Sequence, residues 1–245
     1  MKKSCWRSAL SGVVLLMLMT GGASAASQEP EQAPQTEIFF KRLAVAPILV
    51  GHRTPNMDET LDDTLSCTIS QICVDDPAIA AQAGTMLTRL IQSVLTLRFG
   101  ANVVPYDEVQ TAYAALRLNG SEDTPRVLAR RLAAMLGADL VVVGTVWRYR
   151  DRGAIEGFPE KPASVAFAVY LVDPETGRGL WRKIFDETQD FALKDMSKFT
   201  ARIKMGIQWL SADGLARYGV EAVFNDFPNT VIPIQPEKAT EKQSP

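Results

Sequence analysis

Apolar runs alternate with polar stretches along the chain, and their lengths and periods predict strands and helices. Residues 42–50 form a nearly continuous apolar run, which is typical of a strand covered on both faces. Pro47 has no amide proton, so we expect the ladder to end there or the strand to have an open side. From Pro77 the period becomes helical, and the apolar stripe ends before Gly100: Ala80, Ala83, Leu87, Leu90, Ile91 and Val94.

The middle of the chain predicts a short strand and two helices. Val103 and Val104 form the strand, and residues 107–116 form the first helix. Thr124 followed by Pro125 marks the start of the second helix, because proline at the first helical position loses no hydrogen bond. Gly137 ends that helix.

The second half predicts a strand, a hairpin and a long helix. Residues 139–149 are rich in β-branched and aromatic side chains and indicate a strand. Residues 164–172 alternate as in a strand, residues 173–177 have turn chemistry, and residues 180–185 return as the second strand of an antiparallel hairpin. One face of the first of these strands carries Val165, Phe167, Val169 and Leu171. A helical stripe follows, and we expect that helix to pack on the sheet: Met196, Phe199, Ile203, Ile207 and Leu210. Together these elements predict a single α/β domain in two or three layers. Its mixed β-sheet contains an antiparallel hairpin and is packed by helices.

The two ends of the chain differ in composition from this predicted domain. Residues 1–25 have a basic start, an apolar run at 13–19 and small residues at the end, which is the pattern of a secretory signal peptide. We expect cleavage after Ala25, with Ala26 as the alternative. Residues 26–37 then form a flexible leader, residues 38–226 the α/β domain and residues 227–245 a flexible tail.

We expect the protein to be exported without a membrane-spanning or lipid anchor. The apolar run is shorter than a bilayer-spanning helix, and Cys5 precedes the run, whereas a lipidated cysteine would follow it. No later segment is long and apolar enough to span a membrane, so no stable membrane insertion is expected. The sequence therefore predicts a protein that is periplasmic and not lipidated.

The charge balance and the cysteines limit the chemistry. Cleavage would remove three of the 26 basic residues and none of the 28 acidic ones, which leaves a formal net charge of −5. This negative net charge does not favour nucleic-acid binding, because proteins that bind nucleic acids usually carry an excess of basic residues. Cys67 and Cys73 would be the only cysteines left, and such a pair in an oxidising compartment predicts a structural disulfide.

No catalytic, metal or cofactor site is predicted. His52 is the only histidine, and no Gly-x-Ser-x-Gly motif or phosphate-binding glycine loop is present. One loop is rich in carboxylates but lacks EF-hand spacing, so we interpret it as a solvated acidic loop: Asp58, Glu59, Asp62, Asp63, Asp75 and Asp76.

The end of the 139–149 strand is the candidate binding surface. Alternation predicts Arg148, Arg150 and Arg152 on one face and Trp147 and Tyr149 on the other. These residue types are enriched at binding hot spots, so the surface could hold a protein or glycan partner. Alternatively, the arginines coat a solvated strand end while the aromatic rings close the core. Trp181, in the hairpin turn region, could belong to either arrangement.

Several motifs resemble a family of bacterial envelope proteins. They are Val-Ala-Pro at the end of the first strand, Leu-Gly-Ala-Asp at 136–139, Leu-Val-Val-Val-Gly-Thr-Val with Gly144, and Asp-Pro-Glu-Thr-Gly followed by Trp181. Over about residues 42–210 the chain resembles the fold shared by the N-terminal domain of TolB, the curli-secretion lipoprotein CsgG, the penicillin-binding-protein activator LpoB and the polysaccharide-export lipoprotein PelC. The resemblance implies a fold of the TolB-N or anticodon-binding type.

The same resemblance implies non-enzymatic work through an envelope protein or polysaccharide partner, with self-association into a homo-oligomer possible. Several of these proteins carry a lipid, whereas this chain lacks the lipidation cysteine. We therefore expect a soluble periplasmic interaction module that supports envelope assembly, secretion or polysaccharide export. The alternatives are a periplasmic hydrolase that uses carboxylates and a small-ligand-binding protein.

Overall fold

The computed structural model describes residues 37–51, 65–73, 79–153, 162–188 and 210–234, all within one compact unit that spans residues 36–245. Helices and strands follow one another along the chain in this order: β1 (Ile38–Phe40), β2 (Leu43–Val45), β3 (Leu49–Val50), α1 (Ile69–Ile72), α2 (Ala83–Phe99), α3 (Tyr106–Ala115), α4 (Pro125–Leu136), β4 (Leu140–Arg150), β5 (Ser164–Val172), β6 (Gly179–Thr188), α5 (Ala212–Asn225) and β7 (Val231–Pro233).

The main sheet has five strands in the order β2-β4-β5-β6, with β3 also pairing with β4. Strands β2 and β3 run parallel to β4, whereas β4, β5 and β6 are antiparallel to their neighbours. The sheet is therefore mixed, and the helices packed on it confirm the predicted α/β fold class. A separate two-stranded parallel sheet joins β1 to β7.

Pro47 divides the first predicted strand in two, as its missing amide proton suggests. Strand β2 ends at Val45 and β3 begins at Leu49, although the Ala46 amide still donates to the Val142 carbonyl at 2.9 Å. The Ile48 amide leaves the ladder and donates to Thr88 Oγ1 on α2 at 3.0 Å. The interruption therefore attaches this edge of the sheet to α2.

The two faces of the main sheet bury different side chains. The face covered by α2 and α5, here called the aromatic face, carries the predicted hairpin row of Val165, Phe167, Val169 and Leu171. The opposite face, here called the alanine face, is covered by α1, α3 and α4 and contains many small residues, among them Ala129, Ala133 and Ala168. Strand β5 is buried along its whole length and β4 over its first seven residues, whereas the edge strand β6 is mostly half-buried.

Helix α4 follows its sequence signals closely. Thr124 Oγ1 accepts a hydrogen bond from the Val127 amide at 3.4 Å, and Pro125 occupies the first helical position. Gly137 ends the helix with a φ of +60°, a left-handed conformation that favours glycine. The chain can then turn directly into β4.

The C-terminal part of the fold differs from the prediction. The helical stripe at residues 196–210 lies almost wholly outside the described residues, and only Leu210 is described. The observed helix α5 begins after Ser211, whose side chain accepts from the Gly214 amide at 3.2 Å. Phe227 is buried and β7 pairs with β1, so residues 227–234 belong to the fold and not to the predicted tail.

The predicted disulfide between Cys67 and Cys73 is not seen in the structure. Helix α1 lies between them, and a capping box joins Thr68 to Gln71. Both cysteines instead pack against the alanine face.

The helices in the described ranges are all too short or too polar to cross a bilayer.

Candidate functional site: the bulge at the end of strand β4

Strand β4 emerges from the core at its C-terminal end. Its first seven residues are buried on both faces, whereas Trp147 and Arg148 are half-buried and Arg150 is exposed. The predicted surface residues therefore lie where the strand leaves the cover of the helices.

A β-bulge lies at this point of the strand. Val146 pairs with Phe167 of β5, but Arg148 pairs with the next residue, Ala166, so Trp147 is an extra residue in β4. Bulges bend a strand and redirect its side chains, and they are common at sheet ends and next to functional sites.

The bulge changes the predicted distribution of side chains. Tyr149 pairs with Val165 and is buried on the aromatic face, whereas Trp147 packs against the alanine face. The prediction that these two rings share a face is therefore wrong, because the extra residue reverses the alternation after Val146. Arg148 and Arg150 do share a face, but it is the face on which Trp147 lies.

Arg148 is held by a side chain from β6, two strands away across the sheet. Its guanidinium forms an ion pair with Asp186 of β6, and Ala166 of β5 lies between them in the same cross-strand row. The Arg148 side chain is 24% exposed, and its Nε is buried without an acceptor among the described residues. One guanidinium nitrogen is thus positioned by Asp186, while the buried Nε has no partner among the described residues.

Thr145 adds a second unsatisfied polar atom near the bulge. It precedes Trp147 by two positions, so both side chains project toward the alanine face. Its Oγ1 is buried without a hydrogen-bond partner in the described part of the chain. Two buried polar atoms without a hydrogen-bond partner among the described residues therefore lie next to Trp147.

Tyr149 fixes the strand end to helix α5. Its hydroxyl donates to the Asp213 carboxylate in the first turn of α5, and its carbonyl accepts from the Ala80 amide at 3.1 Å. Burial raises the pKa of the Tyr149 phenol well above its ordinary value, with further contributions from the Asp213 hydrogen bond and from the charges of Asp213 and Asp151. Tyr149 is thus an anchor and not an exposed contact residue.

Asp151 strengthens the same anchor. Its Oδ1 accepts from the Ala212 amide at the start of α5 at 3.0 Å, where the helix dipole favours a negative charge. The same atom accepts from the Arg152 amide at 2.8 Å, and Arg152 is exposed just beyond β4. The strand end that carries Trp147 and Arg148 is therefore attached to α5 before any partner binds.

Trp181 does not belong to this surface. It pairs with Leu171, five positions along β5 from Ala166, and it lies on the aromatic face. Its ring packs against Phe224 and Phe227, with centroid distances of 5.8 and 5.0 Å. The structure therefore places Trp181 in the core near β7, away from the bulge. The bulge surface comprises Trp147, Arg148 and Arg150, with Thr145 beneath them and Asp186 beside them.

Sequence reasoning missed Thr145 and Asp186 because neither has a motif of its own. The one available signal of the bulge was the spacing between Val146 and Tyr149. Two core residues on the same face of a regular strand are an even number of positions apart, whereas these two are three positions apart. His52 and the acidic loop residues lie outside the described residues. In the described ranges, histidine, cysteine and carboxylate side chains form no group of three or more that could hold a metal ion.

A separate open cavity of about 500 Å³ lies between α3 and α4. Asp107, Glu108 and Thr111 line its polar side, and Met135 lies on the apolar side. Glu108 also pairs with Arg42 at 2.7 Å. The cavity combines two carboxylates with an apolar wall, at a distance in the fold from the bulge surface.

No protein-family model matches the chain, and no curated protein does so. Among solved structures, the PelC dodecamer from Paraburkholderia phytofirmans is 13% identical, with 82% of this chain and 96% of that chain covered and a TM-score of 0.40. Lipoprotein GNA1162 from Neisseria meningitidis is 17% identical, with 67% and 93% covered and a TM-score of 0.38.

LpoB from Escherichia coli is also similar, at 13% identity over 74% of this chain and 84% of that chain, with a TM-score of 0.36. Solved structures of PelC and LpoB, two of the proteins that the strand and hairpin motifs resemble, are thus found to be similar to this chain. At these identities and TM-scores, the similarity does not transfer a partner, an activity or an assembly state.

Proposed function

We propose that this chain is a non-enzymatic periplasmic interaction module, which supports envelope assembly, secretion or polysaccharide export by binding a protein or polymer partner. The observation that carries the proposal is the bulge surface, where Trp147 and Arg148 lie on one face of the sheet and are both partly exposed. Export rests on the predicted signal peptide at residues 1–25.

The chemistry of the bulge surface fits an acidic or hydroxyl-rich partner. Arg148 and Arg150 lie on one face and can donate to carboxylates, phosphates or sugar hydroxyls, and arginine makes such contacts in a fixed planar geometry. Trp147 offers a large apolar ring with little conformational entropy to lose. The α5 anchor at Tyr149 limits the ordering cost of binding, because the strand end is already positioned.

Crosslinking in the native periplasm followed by mass spectrometry tests the proposal. We expect the Arg148→Ala/Arg150→Ala variant to lose specific crosslinked partners that the unmodified chain captures. The matched control is Arg117→Ala/Arg130→Ala, which removes the same charge from two other exposed arginines and should keep the partner list unchanged.

Two further arms of this experiment separate the possible outcomes. If the bulge variant captures no fewer proteins, we expect it instead to lose salt-sensitive binding to purified anionic envelope polysaccharide. Unchanged capture of both proteins and polysaccharide would contradict the proposed surface.

Small-ligand binding is the second candidate function, because the α3–α4 cavity is large enough for a small molecule and contains Asp107 and Glu108. A thermal-shift screen with small cationic compounds tests it. We expect any true ligand to raise the Tm of the unmodified chain and to lose that effect in Asp107→Asn. A compound that shifts both proteins equally would not bind in this cavity.

A further inference from the structure

A small cavity lies at the edge of the main sheet, where Pro47 separates β2 from β3. Its volume is about 140 Å³, and it lies between this strand edge and the N-terminal halves of α2 and α3. We call it the edge cavity. It shares no lining residue with the α3–α4 cavity. Pro47 and Val50 supply apolar walls, and Thr85, Tyr106 and Gln110 supply polar groups.

The interruption of the strand positions the walls of the edge cavity. The Ile48 amide donates to Thr88 Oγ1 at 3.0 Å, and the Thr88 hydroxyl donates to the Gly84 carbonyl at 2.6 Å. Gly84 allows α2 to lie this close, because a Cβ atom there would be 2.7 Å from the Ile48 carbonyl oxygen. Strand edge and helix are thus fixed to each other before any ligand enters.

The remaining polar side chains of the edge cavity have open hydrogen-bonding capacity. The Thr88 hydroxyl already donates one bond and accepts another. In contrast, the Thr85 and Tyr106 hydroxyls and the Gln110 amide are not hydrogen-bonded to any described residue. Hydroxyl and amide groups both donate and accept, so the edge cavity can bind a polar group of either kind.

Arg89 places a positive charge beside the edge cavity. It is exposed, and its guanidinium carbon lies 5.2 Å from the centre of the Tyr106 ring. This cation–π contact limits the positions of the charge and leaves the guanidinium N–H groups available as donors. Within the described ranges, Arg89 forms no ion pair with a carboxylate.

The acidic residues of α3 belong to the other cavity. Asp107 and Glu108 follow Tyr106 in the chain but line the α3–α4 cavity, and Glu108 pairs with Arg42 at 2.7 Å. None of the described residues that line the edge cavity is acidic. The edge cavity therefore combines apolar walls and neutral hydrogen-bonding groups with one positive charge.

We infer that the edge cavity binds a small carboxylate, with the carboxylate on the Arg89 guanidinium and the apolar part of the ligand against Pro47 and Val50. Arginine binds carboxylates through paired hydrogen bonds. A cavity of about 150 Å³ holds a molecule the size of benzene, so the ligand places about six non-hydrogen atoms in the edge cavity. A short free acid and the C-terminal alanine of a peptide both meet this limit.

Titration of the isotope-labelled full chain with butyrate, followed by NMR, tests the inference. We expect the amide signals of Gly84, Thr85 and Gln110 to shift together with the Arg89 side-chain signal, all with one dissociation constant. The signals of residues that line only the α3–α4 cavity, such as Met135, should not move. The edge cavity shares no residue with the bulge surface and does not depend on the function proposed for it.

Two variants divide the ligand contacts. Arg89→Gln should raise the butyrate dissociation constant by about tenfold, because a charge-assisted contact is lost. Tyr106→Phe keeps the ring beside the guanidinium and removes only the hydroxyl, so it should raise the constant by about threefold. The matched controls are Arg130→Gln, at another exposed arginine, and Asp107→Asn in the α3–α4 cavity. Both controls should bind butyrate as the unmodified chain does.

Peptide titrations distinguish the two sources of the carboxylate. A tripeptide that ends in alanine should bind more tightly than butyrate if the natural ligand is a peptide end, and its C-terminal amide should not bind. Tighter binding of butyrate than of the tripeptide would assign the edge cavity to a free small acid.

Three results would overturn the inference. The first is butyrate binding that Arg89→Gln leaves unchanged. The second is inorganic phosphate that binds as tightly as butyrate, which would show that the charge acts without the apolar walls. The third is a titration in which no signal from a residue lining the edge cavity reaches saturation.

Discussion

The two faces of the main sheet are built on the same strands but differ in what they leave exposed. On the aromatic face, Phe167 packs against Phe185 at 5.4 Å, and α2 and α5 close the layer. On the alanine face, Trp147 is only half-buried and Arg148 is partly open to solvent. Both faces therefore bury a core, but only on the alanine face does the C-terminal end of β4 remain partly open to solvent.

Adjacent residues of β4 show the same contrast at short range. Tyr149 is buried, bonded to Asp213 and attached to α5, whereas Trp147 and Arg148 retain exposed surface. The single extra residue of the bulge separates a structural anchor from a candidate contact surface. Substitutions on the two sides should therefore affect different properties.

The largest expected effect is on the aromatic face. Phe167→Ala should lower the free energy of unfolding by about 3–5 kcal/mol, because it removes a fully buried ring and leaves a cavity. Trp147→Ala should cost clearly less in stability but should weaken partner capture. Urea unfolding and periplasmic crosslinking measure the two properties, and equal stability losses would contradict the division between the faces.

Alkaline pH should reveal how much Tyr149 contributes to the free energy of unfolding. The pKa of Tyr149 is raised in the folded state, so its contribution is complete below the pKa of an unfolded tyrosine, about 10, and is lost as pH rises above it. The free energy of unfolding should fall by at most about 1.4 kcal/mol per pH unit from this group.

Tyr149→Phe is the matched control for that titration, because burial also raises the pKa of Tyr113 and Cys73. The variant should lose part of the alkaline slope and keep the remainder. Urea unfolding at a series of pH values measures both slopes, and identical slopes would rule out Tyr149 as a contributor.

At neutral pH, Tyr149→Phe should lower the free energy of unfolding by about 1 kcal/mol, since it removes a hydrogen bond to a carboxylate whose residue is itself exposed. Asp213→Asn should cost a similar amount, and the double variant should cost less than the sum. Additive losses in urea unfolding would show that the two side chains act separately.

The smallest expected effect is that of the ion pair beside the bulge. A double-mutant cycle of Arg148→Ala and Asp186→Ala should give a coupling energy below about 1 kcal/mol, because both side chains are partly exposed. Arg148→Ala should nevertheless reduce partner capture. A coupling energy of several kcal/mol would instead assign Arg148 to the fold.

Local signals in the sequence predicted helix α4 and the β5–β6 hairpin well, because each is specified by neighbouring residues. Thr124, Pro125 and Gly137 mark the helix ends directly, and residues 173–177 supply the turn between two alternating strands. The sequence also indicated the interruption at Pro47, since a missing amide proton acts wherever the strand is placed.

Tertiary structure decided the features that depend on distant partners. The alternating Trp147–Arg152 segment gave no clear sign of the bulge, which appears only when β4 is aligned with β5. Strand β7 reads as part of a polar tail until its backbone pairs with β1, more than 190 positions earlier. The sequence by itself therefore determined the fold class and the residue types of the surface. Only cross-strand pairing, which local composition does not encode, determined which of those side chains reach solvent.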